Sequence, residues 1–173
     1  MKDNINVLIA QDKVEARIKE LGEQISRDYA GRELHLICVL KGGVFFMCEL
    51  AKYIQVPVSM DFMCVASYGA EKSSSGIVKI TKDLDETLEG KEVLIIEDII
   101  DSGRTLSHLL ELLQNRNPKS MKLCTLLDKP DRRVCEVDVD YIGFEIPDEF
   151  VVGYGLDYAQ KYRNLPYIGV VCE

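Results

Sequence analysis

Hydrophobic residues follow two different spacings along the chain, and the two spacings alternate. Continuous apolar runs, typical of strands buried in a parallel sheet, occupy residues 34–40, 93–96 and 121–127. Apolar residues three or four positions apart, typical of amphipathic helices, fall within residues 11–30, 44–54 and 106–113. Because strands and helices alternate, the pattern predicts an α/β fold with a twisted, mainly parallel sheet flanked by helices.

Shorter apolar segments predict further strands near the two ends of the chain and around its middle. These strands are expected at residues 5–10, 57–67, 77–82, 137–146 and 168–171. We expect a single domain over residues 1–173, with the parallel core at roughly 31–130. The N-terminal strand and roughly residues 131–173 would pair into a small hood subdomain over the sheet edge.

The stretch from Val93 to Leu106 combines a buried strand, two acids, a small polar loop and the start of a helix. Glu97 and Asp98 follow the apolar run, and open α/β sheets bind ligands at the carboxyl ends of their strands. In the polar loop, residues 101–105, free backbone N–H groups precede a helix N-terminus, which favours a bound phosphate. The stretch therefore predicts a ligand with a phosphate for the loop and with hydroxyls or a metal for the acids.

Three other segments carry polar residues that fit the same edge of the sheet. Residues 41–43, Lys-Gly-Gly, follow a buried strand and suit a pyrophosphate, while Lys129 follows another such strand. Asp157 lies in an apolar, glycine-bearing context that is unusual for a surface acid. Residues 68–76 are polar and rich in Gly and Ser, which predicts a mobile loop. Each segment alone is also compatible with an ordinary turn or surface hairpin.

Charge and cysteine content narrow the class of protein. A net charge of −8 argues against a general nucleic-acid surface, which needs the opposite sign. We expect neither a signal peptide nor a membrane span, because no apolar run is long enough. The six cysteines show no CxxC spacing, so we expect no zinc site or disulfide framework, and a reducing cytoplasm is the predicted location.

The stretch at residues 93–106 resembles the phosphoribosyl pyrophosphate (PRPP) binding motif of the purine phosphoribosyltransferases. A Walker B acid is set aside, because no GxxxxGK[ST] loop occurs in the chain. With the matches around Lys41, Lys129 and Asp157, the resemblance covers about residues 40–165 and is to the bacterial hypoxanthine (hypoxanthine-guanine) type. It implies a type I phosphoribosyltransferase fold. Arg104 stands where some members carry lysine, and either side chain suits a phosphate loop.

The resemblance implies roles for the residues around PRPP. Glu97 and Asp98 would hold the ribose hydroxyls, directly or through a metal, and Asp101 would act as general base for the N7 proton of the purine. The 5′-phosphate would be bound by Asp101, Ser102, Gly103, Arg104 and Thr105, and the pyrophosphate by Lys41, Gly42 and Arg163. The peptide between Leu40 and Lys41 is expected in the cis form.

The remaining matches concern the purine, the metal and a lid. Purine binding is implied for Lys129, Phe150, Val151 and Asp157, of which Lys129 would donate to the 6-oxo group. Mg²⁺ is the implied cofactor, held by Glu97, Asp98 and Asp157. Ser67 and Tyr68 would close over the reacting centre and exclude water.

The implied activity belongs to purine salvage, with PRPP and a 6-oxopurine as small-molecule substrates and IMP or GMP and pyrophosphate as products. We expect a homodimer or homotetramer, and no nucleic-acid or membrane partner. Two alternatives stay open: a phosphoribosyltransferase that prefers another base such as xanthine, and a PRPP-sensing regulator on the same fold. The net acidity and the lack of an added DNA-binding segment argue against the regulator.

Overall fold

The structure is a computed structural model that describes residues 4–67 and 78–172. In chain order the strands are β1 (Asn4–Ile9), β2 (Leu34–Leu40), β3 (Val58–Ser67), β4 (Val78–Lys82), β5 (Glu92–Ile100), β6 (Ser120–Asp128), β7 (Tyr141–Glu145), β8 (Val151–Val152) and β9 (Ile168–Cys172). The α-helices are α1 (Gln11–Asp28), α2 (Val44–Tyr53) and α3 (Arg104–Gln114). The larger sheet has the order β4-β3-β2-β5-β6-β7 and is parallel except for β4, which runs antiparallel to β3, and this arrangement confirms the predicted α/β fold.

The two ends of the chain pair in a second sheet, and the region that contains it is called the hood below. This antiparallel sheet has the order β1-β9-β8. The predicted boundary between core and hood near residue 130 is too early, because β7 pairs with β6 in the larger sheet. The strand predicted over residues 137–146 is also too long. Val137 and Val139 alternate because they pack against the core beside α3, and not because they pair in a sheet.

Two hydrophobic clusters sandwich the larger sheet and explain its continuous apolar strands. Leu94 and Ile96 of β5 belong to the cluster formed with α1 and α2. Val93 and Ile95 belong to the cluster formed with α3. Because successive side chains of a strand point to opposite faces, β5 must be apolar at every position until its polar end. None of the described helices has the length and apolar character of a membrane span.

Candidate active site at the carboxyl edge of the sheet

The carboxyl end of β5 leads directly into the candidate phosphate loop. Glu97 and Asp98 lie within β5 and not after it, since the strand continues to its last residue at position 100. The loop is limited to residues 101–103, because α3 begins at Arg104, two residues before the predicted start. Gly103 has a φ of 81° at the helix N-cap, a conformation that glycine adopts without strain. The first N–H groups of α3 have no partner inside the helix and are therefore the donors predicted for a phosphate.

The segment after β6 folds back over this loop and fixes it. The carbonyl oxygen of Ser102 accepts hydrogen bonds from the N–H groups of Val134, at 2.9 Å, and Cys135, at 3.2 Å. A Cβ on Gly103 would lie 3.1 Å from the carbonyl oxygen of Cys135, which leaves little room for a larger residue. The loop geometry is therefore set by long-range contacts as well as by its own sequence.

The two acids of β5, Glu97 and Asp98, are half-buried. Burial raises the pKa of Glu97 well above its usual range, and the negative charge of Asp98 adds to the increase. Burial also raises the pKa of Asp98, and the N–H of Ile99, which donates to Oδ1 at 2.8 Å, opposes that increase. Acids whose charged forms are disfavoured by burial are suited to bind hydroxyls or a cation.

The candidate pyrophosphate loop after β2 is packed between Asp98 and the hood. The peptide between Leu40 and Lys41 is cis, which confirms the prediction. A Cβ on Gly42 would lie 1.8 Å from Oδ2 of Asp98, so glycine is needed for the carboxylate to fit. From the hood, a Cβ on Gly155 would lie 2.0 Å from the carbonyl oxygen of Gly42. The loop thus joins the end of β5 to the hood.

Arg163 and Asp157 of the hood contact each other beside the candidate pyrophosphate loop. Nη2 of Arg163 lies 3.1 Å from Oδ1 of Asp157, and Nη1 donates to the carbonyl oxygen of Gly155 at 2.7 Å. Oε1 of Gln160 accepts hydrogen bonds from Arg163, at 3.2 Å, and from Nζ of Lys41, at 3.4 Å. Two cations predicted for pyrophosphate therefore share one acceptor. No pattern in the sequence singles out Gln160 for this role.

The candidate purine site lies at the end of β6. Lys129 is 7% exposed, and its Nζ lies 3.9 Å from Oδ1 of Asp148. Phe150 is 55% exposed and contacts Tyr158 edge to face, with ring centroids 5.6 Å apart. Val151 is buried at the start of β8. A buried ammonium and an exposed aromatic ring together suit a flat heterocycle that carries a carbonyl group.

Asp101 connects the phosphate loop to the purine end. Its Oδ1 accepts a hydrogen bond from Nε of Arg132 at 3.0 Å, and Nη1 of Arg132 lies 3.5 Å from Oδ2 of Asp148. The sequence pattern does not predict a role for Arg132 or Asp148. The available sequence signal for such a role is the adjacent pair Arg132 and Arg133 shortly after Lys129, because charged side chains at the end of a buried strand need partners.

The charge of Asp157 contributes to the raised pKa of Asp98, so the hood brings a third predicted metal ligand near the acids of β5. The described residues contain no group of three or more His, Cys, Asp or Glu side chains arranged to hold a metal. Mg²⁺ commonly binds one or two carboxylates together with substrate phosphates, so Asp98 and Asp157 fit it.

The predicted lid falls largely beyond the part of the chain that the structure describes. Ser67 ends β3, and nothing is described of its side chain, while Tyr68 lies outside the described residues. A lid made of these two residues stays a prediction.

The sequence and the fold of the chain are similar to those of known proteins. A family profile described as phosphoribosyl transferase domain matches residues 6–159. The hypoxanthine phosphoribosyltransferase of Salmonella typhimurium is 54% identical over 99% of this chain and 97% of its own. The hypoxanthine-guanine phosphoribosyltransferase of Streptococcus thermophilus is 51% identical over 99% of this chain and 96% of its own. A crystal structure of a hypoxanthine-guanine phosphoribosyltransferase from Bacillus anthracis has a TM-score of 0.94 and 46% identity, covering 99% of this chain and 100% of that one. The chain therefore belongs to the phosphoribosyl transferase domain family.

Proposed function

We propose that the chain transfers the 5-phosphoribosyl group of PRPP to hypoxanthine, and also to guanine, and releases pyrophosphate. Relatives that share half of its residues over nearly the full length carry the corresponding names. The observation that carries the proposal is the arrangement of four groups at one sheet edge. These groups are the acids of β5, the loop and first helical residues at 101–105, the cations Lys41 and Arg163, and the buried Lys129.

PRPP would lie across the carboxyl ends of β2 and β5. Its 5′-phosphate would accept hydrogen bonds from residues 101–105, and its ribose hydroxyls would bind Glu97 and Asp98. The pyrophosphate would lie against Lys41, the backbone of Gly42 and Arg163, which Gln160 holds together. Mg²⁺ would be held by Asp98 and Asp157, with Glu97 reaching it directly or through ribose and water. When bound, the metal neutralises negative charge on the leaving pyrophosphate.

The purine would lie over the end of β6. Lys129 would donate a hydrogen bond to the 6-oxo group, Phe150 would stack on the ring, and the backbone of Val151 would bind the purine edge near Asp157. The 6-amino group of adenine cannot accept from an ammonium, so adenine would leave the buried charge of Lys129 without a partner. The site therefore favours 6-oxopurines, and this contact alone does not separate hypoxanthine, guanine and xanthine.

Asp101 is the proposed general base. As the bond between purine N9 and the anomeric carbon forms and the bond from that carbon to pyrophosphate breaks, the Asp101 carboxylate would accept the N7 proton. Arg132, which donates a hydrogen bond to Asp101, would orient this carboxylate. A positioned base of this kind contributes about 10²–10⁴-fold to turnover.

Steady-state kinetics with PRPP, Mg²⁺ and a panel of bases tests the proposed function. We expect hypoxanthine and guanine to be converted to IMP and GMP, and adenine to remain unconverted. Lys129→Ala should raise KM for the purine while leaving KM for PRPP near its original value. The proposal is wrong if no 6-oxopurine is converted, and preferential conversion of xanthine would reassign the substrate.

We further propose that the chain acts in a reducing cytoplasm as a homodimer or homotetramer. Phe45 on α2 and Met60 on β3 are 43% and 51% exposed, and such apolar surface is often covered in an oligomer. The six cysteines are free thiols. Sedimentation velocity at micromolar concentration should give a dimer or larger species, and a monomer would contradict the proposal.

A further inference from the structure

We propose that Asp148 is a positioning residue for purine recognition. Its carboxylate holds the ammonium of Lys129 and the guanidinium of Arg132, and Arg132 in turn orients Asp101. The inference rests on the proposed purine transfer, and it assigns a role to a residue outside the predicted site. The four side chains Lys129, Asp148, Arg132 and Asp101 are called the ion ladder below.

Lys129 depends on Asp148 because its ammonium is largely removed from water. The Lys129 side chain is 9% exposed, and Asp148 is its ion-pair partner among the described residues. The distance of 3.9 Å from Nζ to Oδ1 is too long for a hydrogen bond. Asp148 therefore compensates the buried charge and leaves the N–H donors of Lys129 available for a carbonyl group of the ligand.

Arg132 extends the ion ladder to the proposed base. Its Nη1 lies 3.5 Å from Oδ2 of Asp148, and its Nε donates to Oδ1 of Asp101 at 3.0 Å. The neighbouring Arg133 does not compete for Asp148, because it pairs with Asp128 and donates to the carbonyl oxygen of Asp101. Charges along the ion ladder alternate in sign, so each group holds the next one in place.

Backbone hydrogen bonds fix the turn that carries Asp148. The N–H of Ile146 donates to the carbonyl oxygen of Asp128 at 2.9 Å, which ties the end of β7 to the end of β6. The N–H of Glu149 donates to the carbonyl oxygen of Pro147 at 2.8 Å and closes a tight turn around Asp148. The carboxylate is therefore presented to Lys129 before the purine arrives, which is the arrangement that a positioning residue requires.

The test compares wild type with Asp148→Asn, Asp148→Glu and Glu149→Gln in steady-state kinetics. Asp148→Asn preserves shape and removes charge, so KM for hypoxanthine should rise about fivefold, because Asp148 is half exposed and its ion pairs are partly screened. KM for PRPP should stay unchanged, and kcat should fall by about twofold at most, since Asp101 keeps its own contact with Arg132. Asp148→Glu restores the charge and should recover at least half of the lost affinity.

Glu149→Gln is the matched control, because it removes a neighbouring exposed carboxylate outside the ion ladder. It should leave KM for hypoxanthine at the wild-type value. The inference is overturned if Asp148→Asn leaves that KM unchanged, if Glu149→Gln raises it equally, or if Asp148→Glu restores nothing. If the wild-type chain converts hypoxanthine and Asp148→Asn does so with the same KM, this inference alone is overturned. A wild-type chain that converts no purine overturns the proposed function, and this inference with it.

Discussion

Strand β5 carries a glutamate near each end, and the two glutamates lie in opposite electrostatic surroundings. At the amino end, Glu92 accepts a hydrogen bond from Ser120 Oγ and lies 3.5 Å from a guanidinium nitrogen of Arg32. The hydrogen bond from Ser120 is the main reason that the pKa of Glu92 is lowered. At the carboxyl end, burial and the charge of Asp98 raise the pKa of Glu97. The fold neutralises the first acid and leaves the second for a ligand.

The difference shows that the presence of a cavity alone does not locate the site. The amino edge has a cavity of about 350 Å³, lined by residues that include His35 and Glu92. Its acid already has protein partners. At the carboxyl edge, enclosed carboxylates are kept although they disfavour the ligand-free fold, which is expected where a bound ligand supplies the compensation.

Among substitutions that compare the two ends of β5, we expect the largest effect on activity from Asp101→Asn, just beyond the carboxyl end of the strand. Turnover should fall by about 10²–10⁴-fold, because an amide cannot accept the N7 proton. PRPP should still bind, since the backbone donors of the loop are unchanged. Stopped-flow turnover and equilibrium PRPP binding provide the two measurements. Glu92→Gln, at the amino end, should retain wild-type turnover, and unchanged turnover in Asp101→Asn would remove Asp101 from the role of base.

A second substitution compares a glycine at each edge. In Gly42→Ala the new Cβ would lie 1.8 Å from Oδ2 of Asp98 and must displace that carboxylate. We expect kcat/KM for PRPP to fall on the order of 10-fold to 100-fold, because a misplaced group at a reacting centre is costly. Stability should change little, since the displaced atom ends a side chain. Gly90→Ala is the control: its φ of 71° adds strain but no contact within 4 Å, so it should lower stability and spare activity.

The two glutamates also differ in their expected effect on stability with pH. The pKa of Glu97 in the folded chain is raised above its ordinary value near 4.5. Between these two pKa values, the folded chain binds more protons than the unfolded chain. Stability of the ligand-free protein should therefore fall as pH rises through this range. Glu97→Gln should remove part of this slope and stabilise the chain at pH 8 by on the order of 1 kcal/mol. The raised pKa of Glu97 would be contradicted if the free energy of unfolding had the same pH dependence in both proteins from pH 5 to 8.

Glu92→Gln should have the smallest effect, with the opposite sign. The pKa of Glu92 is lowered, so its stabilising contribution is present above its ordinary value near 4.5 and is lost as pH falls through the lowered value. Removing the charge should destabilise the chain by about 0.5–1 kcal/mol at neutral pH, because the partly exposed cations Arg32 and Lys119 lose their ion-pair partner. Urea unfolding with and without 0.5 M salt measures the loss, and a stabilised variant would contradict the comparison.

Sequence patterns predict an element of the fold where the burial of its own side chains determines its bounds. The bounds of β2 match the apolar run at residues 34–40, because both faces of that strand are buried. The pattern fails at residues 137–140, where alternation reports burial against α3 but no strand forms. Alternating apolar residues indicate which side chains are covered, and they do not show which backbone is paired.

The candidate site divides in the same way. Residues at the carboxyl end of a strand or directly after it, such as Asp98, Asp101 and Lys129, are predictable because strand ends meet at one edge. Their partners are not, since Gln160 and Asp148 come from distant turns whose positions depend on packing of the hood and of β7. Those partners determine how the predicted charges are oriented.

If PRPP and the purine meet at the carboxyl edge, a crystal structure of the wild-type chain with IMP, Mg²⁺ and pyrophosphate will show it directly. We expect the 5′-phosphate within about 3 Å of backbone nitrogens in residues 101–105, and the 6-oxo group within about 3 Å of Nζ of Lys129. Pyrophosphate should lie between Lys41 and Arg163. A nucleotide bound at the amino edge beside Glu92, or a purine ring away from Lys129, would contradict this location of the active site.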